Sequence, residues 1–167
     1  MKCLTQQEIA RWLTEQCVTP SPYGSAKSPT HYLQFKFPKG PVANTSFIRQ
    51  FLKLTSGDIL VHVTDWPTYK RAEMAVVNAL RHEWGESRNL IDAPGHLFPA
   101  NESGLATALF GHTGNFAWNA YLYLPGDLAT LYNWEGELYD FWSNDAATQL
   151  ALERLTGEFG LATEIAG

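Results

Sequence analysis

The first ordered pattern of apolar positions along the chain is helical. Ile9, Trp12, Leu13 and Cys17 recur at spacings of three and four. Thr5-Gln6-Gln7-Glu8 stands before them as a capping box, in which the Thr5 hydroxyl accepts from the backbone N–H of Glu8 and Glu8 reaches back. The stretch VTPSPYGSAKSPT then interrupts with three prolines, a glycine and three serines, and predicts a surface loop. Alternation takes over in HYLQFKF. Leu33, Phe35 and Phe37 oppose Tyr32, Gln34 and Lys36, which predicts a strand with one polar-leaning face.

Residues 46–55 predict a short helix that Gly57 terminates. DILVHVT is β-branched and nearly unbroken in hydrophobicity, as a central strand is. The longest helix is expected to open at Asp65-Trp66-Pro67, capped by Asp65 with Pro67 in its first turn. Tyr69, Glu73, Val76, Leu80 and Trp84 share one side of it with Val77 adjacent, and Gly85 ends it. Val61, Val63, Val76, Val77, Leu80 and Leu122 are the expected core. Residues 89–101 hold two prolines, a glycine and little periodicity, and predict a connecting loop. ESGLATALF predicts a short helix ending at Gly111, with GHTGN as a polar loop after it.

The last third predicts a β-meander. AWNAYLYL (117–124) sets Trp118, Ala120, Leu122 and Leu124 against Asn119, Tyr121 and Tyr123. ATLYNW (129–134) and ELYDFW (137–142) return across a tight turn at Glu135-Gly136, where Gly136 takes a positive φ. Ser143-Asn144-Asp145 caps a final helix over about 145–159. There is no internal repeat and no linker, so residues 1–167 are expected to form one α+β domain. Its sheet, mixed or antiparallel, should have about five strands, packed against four or five helices.

Composition sharpens two points. With 167 residues, 45% hydrophobic and 17% charged, the chain has the profile of a globular protein. No run approaches the roughly 18 apolar residues of a membrane span. Cys3 and Cys17 flank the first helix, about 21 Å apart along its axis, too far for a disulfide. Free thiols and the lack of an apolar leader lead us to expect a cytoplasmic protein.

The charge is lopsided. Residues 1–88 carry a net +4 and residues 89–167 a net −9, with Arg154 the one basic residue of the second half. A second half so acidic repels phosphates, and no nucleic-acid partner is expected. We expect a basic protein partner, or self-association between the two halves.

Motifs for chemistry are few. No phosphate loop, dinucleotide fingerprint or nucleophile elbow occurs, and no cofactor is expected. His82 and Glu86 have i,i+4 spacing and could share a metal with His96, but Gly85 breaks the helix between them, so no metal is expected either. His112, flanked by glycine, could act with Asp127 or Asp92 in a small hydrolase. Trp118, Trp134 and Trp142 could instead stack on sugars. The leading expectation rests on LYNWEGELYDFW (131–142), five of whose residues are aromatic and three acidic. Tyr132, Trp134, Glu135, Glu137, Tyr139 and Asp140 form the expected binding surface of a non-enzymatic module. Rings supply rigid contact area, and carboxylates draw a cationic partner on.

Overall fold

A computed structural model describes residues 1–23, 25, 27–54, 57–66 and 71–164, the side chains of Arg71 and Glu164 excepted. The chain is an α+β fold on one antiparallel sheet. Its strands are β1 (Lys2–Leu4), β2 (His31–Lys36), β3 (Ile59–Asp65), β4 (Gly95–Phe98), β5 (Asn119–Tyr123), β6 (Thr130–Trp134), β7 (Leu138–Ser143) and β8 (Thr163–Glu164). Their order across the sheet is β1-β4-β3-β5-β6-β7-β2-β8. The helices are α1 (Gln6–Glu15), α2 (Pro41–Phe51), α3 (Arg71–Glu83), α4 (Ser103–Asn115) and α5 (Ala146–Glu158). No helix among the described residues is long and apolar enough to cross a membrane.

The meander forms where the alternation places it. Trp118, Ala120, Leu122 and Leu124 face the inner core, joined there by Leu131, Tyr139 and Phe141 of the next two strands. Phe47, Ile48 and Phe51 of α2, Ala106, Leu109 and Phe110 of α4, and Leu152 and Leu155 of α5 close this core from the helical side. Thr5 and Glu8 make both bonds of the capping box, and Asp145 caps α5 by accepting from Thr148. Cys3 and Cys17 are both free, the first buried and the second exposed.

Several expectations are corrected. Among the described residues the sheet has eight strands rather than about five, because β1, β4 and β8 are only two to four residues long and show no period. Residues 95–98 are therefore a strand inside the expected loop; β4 pairs with both β1 and β3. Helix α2 begins at Pro41, not near 46, with Pro41 just inside its first turn. Helix α4 runs through Gly111 to Asn115, so GHTGN is helical and not a loop. On α3 the buried side is Val77 and Arg81. Val76 is 59% exposed and Leu80 only partly buried. The expected cap at Asp65-Trp66-Pro67 and the position of Tyr69 fall on or against residues 67–70, outside the described ones.

The opposite face of the sheet is covered in two parts. Helix α1 lays Ile9, Trp12 and Leu13 over one end, in a cluster with Leu4 and Leu60. Gly95 is required there, since a Cβ on it would stand 2.6 Å from Ile9. Beyond α1 the described residues between Cys17 and Thr30 cross the meander. They are tied down by Thr19 donating to Asp127 (2.6 and 2.7 Å), by Ser21 with Tyr121 (2.9 Å), and by Thr30 donating to Asn144 (3.0 Å).

Candidate functional site

Strand geometry builds the site. The register pairs Tyr132 with Asp140 and Asp140 with Gln34, so these three stand side by side on the outer face. One position along, Trp142 neighbours Tyr32, and Trp134 follows Tyr132 on the same face at the end of β6. The outer face of β6, β7 and β2 is thus a patch of rings around one carboxylate.

Asp140 is 1% exposed. Its Oδ1 accepts from the Tyr32 hydroxyl (2.6 Å) and the Gln34 amide (2.8 Å). Its Oδ2 accepts from the Trp134 indole N–H and from the Tyr23 hydroxyl. All four donors are neutral, and among the described residues no Lys, Arg or His pairs with it. A buried carboxylate is tolerated when its lone pairs are filled this way.

Tyr23 closes the patch from the crossing segment. Its ring lies edge-to-face against Trp142 (4.6 Å between centroids), Trp134 (5.7 Å) and Tyr132 (5.8 Å). Burial, followed by its bond to Asp140, pushes the Tyr23 hydroxyl well above its usual value and keeps it a donor.

The hairpin tip extends the site to the surface. Glu135 and Gly136 both have positive φ (46° and 72°) and are the central residues of a turn closed by the Glu137 N–H donating to the Trp134 carbonyl (2.7 Å). Asn119 accepts from the Glu135 N–H (3.0 Å), and Asn133 accepts from that of Gly136 (3.1 Å). A Cβ on Gly136 would lie 2.1 Å from the Gly114 carbonyl oxygen, so the tip rests on the end of α4 and only glycine fits. Glu135 and Glu137 are exposed. With Lys36, Lys39 and Asn115 they line a cleft of about 560 Å³.

The six expected surface residues therefore divide. Tyr132, Trp134 and Asp140 converge on the outer face, with Glu135 and Glu137 at the adjoining tip. Tyr139 alternates to the inner face, wholly buried, and donates to Asn44 (2.7 Å). Asp140 and Tyr132 are covered rather than free to meet solvent. Tyr23, Tyr32 and Gln34 were not singled out. The polar-leaning face of HYLQFKF was a signal for the last two, while a lone tyrosine in a proline–serine loop carries none.

The other candidates are placed apart. His112 sits in the last turns of α4, its ring against Phe116 (4.5 Å) and Trp118 (5.2 Å). Burial lowers its pKa, with the Glu73 carboxylate opposing. Asp127 lies beyond the far end of β5, buried and engaged by Thr19 and Asn144. The strand thus separates His112 from Asp127, by about 17 Å for its five residues. Asp92 is exposed and accepts from Asn89. His96 is buried against Arg81 (2.9 Å), and Glu86 is taken by Arg88. Of the three tryptophans suggested for sugar stacking, Trp118 and Trp142 are buried and only Trp134 reaches solvent.

No known protein-family model, curated protein or solved structure matches this chain.

Proposed function

We propose that the chain is a non-enzymatic binding module that engages a basic protein partner through the β6–β7 hairpin and the outer-face rings behind it. One observation supports this most: Trp134, 41% exposed, stands beside exposed Glu135 and Glu137 and donates to the buried carboxylate of Asp140. A half-exposed ring next to negative charge suits a cationic surface. The ring is lost from water on contact, and the carboxylates attract from a distance.

Affinity capture from native lysate tests the proposal, with the wild type, Trp134→Ala and Glu135→Gln/Glu137→Gln as baits. The protein recovered by wild type should be basic, and both variants should lose most of it. With that partner in hand, Trp134→Ala should mainly speed dissociation. The charge variant should mainly slow association and flatten its salt dependence. Equal recovery by all three baits overturns the proposal. Recovery of the chain itself in place of a basic protein turns it towards self-association.

A further inference from the structure

We infer that the rings around Asp140 form a receptor for an alkylammonium group, the side chain of a lysine on the basic partner, and that Tyr23 fills it in the free chain. The inference rests on the binding-module reading and names what that module would hold.

The Tyr23 side chain accepts from the Trp134 indole N–H (2.8 Å) and donates to Asp140, but it does not anchor its own segment. The segment carrying it is anchored without it, at Thr19, Ser21 and Thr30, and Ser28 donates to the Pro22 carbonyl (2.7 Å). Withdrawing the Tyr23 side chain breaks none of those bonds. It would open a space floored by Asp140 and walled by Tyr132, Trp134 and Trp142, the rings that Tyr23 now touches. Tyr132 and Trp134 stand near-perpendicular, 4.9 Å apart, so the walls do not collapse into one stack. A cation within about 6 Å of a Trp or Tyr face is attracted by the ring quadrupole, more strongly when desolvated. The Tyr23 hydroxyl already does there what an ammonium N–H would do, since it donates to Oδ2.

The carboxylate also selects the cation. Tyr32 and Gln34 occupy Oδ1, so only Oδ2 becomes available when Tyr23 leaves. An arginine fork needs both oxygens for its paired bonds, whereas a lysine ammonium is a compact charge that needs one. A fully methylated ammonium keeps the attraction to the rings but has no N–H for Oδ2.

The test is a titration of the full chain, wild type and Tyr23→Ala, with n-butylammonium, ethylguanidinium and tetramethylammonium. It is followed by the indole N–H resonance of Trp134, with circular dichroism to verify folding. Tyr23→Ala should bind n-butylammonium at least about tenfold more tightly than wild type, because the filled state no longer competes. Ethylguanidinium and tetramethylammonium should bind that variant more weakly than n-butylammonium. Folded Tyr23→Ala that binds n-butylammonium no better than wild type overturns the inference. So does tetramethylammonium binding as tightly as n-butylammonium, since Asp140 would then take no part. Loss of ammonium binding beside intact, Trp134-dependent capture of a basic protein would retire the receptor and leave the docking surface. Ammonium binding beside capture indifferent to Trp134, Glu135 and Glu137 would support the receptor and retire that surface.

Discussion

Tyr139 and Asp140 are neighbours in β7 whose side chains point to opposite faces of the sheet, and both polar groups are buried. The Tyr139 hydroxyl meets the Asn44 amide oxygen within the helical core. The Asp140 carboxylate meets four neutral donors under the crossing segment. Tyr139→Phe should therefore cost about 1–3 kcal/mol in urea unfolding, the penalty for a buried acceptor left unpaired, with capture of a partner unchanged. A loss of capture at full stability would return Tyr139 to the binding surface. Trp134→Phe keeps a ring but removes the indole donor to Asp140, and should destabilise measurably, whereas Glu135→Gln/Glu137→Gln should leave the melting temperature within error. Alternation alone separates Tyr139 from Asp140, and that was legible in ELYDFW. Which face the helices would cover was not, because rings and carboxylates occur on both.

The β6–β7 hairpin shows how an element carries the site. Gly136 is set by turn geometry and by contact with Gly114, and Gly114 in turn gives way to Phe37, which a Cβ on it would approach to 2.4 Å. Gly136→Ala should lower stability by more than the 1 kcal/mol or so typical of an ordinary turn glycine, since strain and a backbone clash act together. A melting temperature equal to wild type would mean that the tip does not rest on α4. Helix α3 is the counter-case. Its apolar period pointed to Val76 and Val77 together, but the helix turns Val77 and Arg81 inward. Arg81 donates to the Ala93 and Asn89 carbonyls and to His96, bonds that no hydrophobic period foretells. Val77→Ala should cost about 1.5–3 kcal/mol and Val76→Ala close to nothing. Similar costs for the two would place another face of α3 against the sheet. Strand β4 was missed for a related reason. GHLF is too short for a period, and its place between β1 and β3 is decided by partners distant in sequence.

Across the whole molecule the two charge halves interleave. Strands β3 and β2 of the basic half flank the meander of the acidic half, and β4 of the acidic half lies between β1 and β3, so no boundary in the sheet divides a positive lobe from a negative one. Stability should nonetheless depend on pH through His96, which is buried, and His62, which is half-buried. Burial, reinforced by Arg81, lowers the His96 pKa to about 3, and burial lowers that of His62 to about 4. Both lie below the unfolded value near 6.5, so the unfolded chain binds the extra protons. Their contribution is complete above about pH 6.5 and is lost progressively as pH falls towards the folded values. The urea midpoint should fall between pH 6.5 and 5, a window above the range of the lowered carboxylates Glu8, Glu86 and Asp145. His62→Gln and His96→Gln should each flatten that slope, whatever they do to stability at pH 7; a slope unchanged in both would mean that the two rings protonate freely in the folded chain.

The docking surface is tested most directly by mapping the backbone amide resonances of the wild-type chain during titration with a lysine octapeptide, with a glutamate octapeptide as control. The acidic residues are spread over several elements, and a merely electrostatic association would follow them to Glu153 and Glu158 on α5 as readily as to the hairpin. We predict that the lysine peptide shifts residues 132–142 together with 21–23 and 32–34, and that the glutamate peptide shifts none of them. Perturbations centred on α5, or scattered over the surface without the hairpin and the Tyr23 segment, would contradict it.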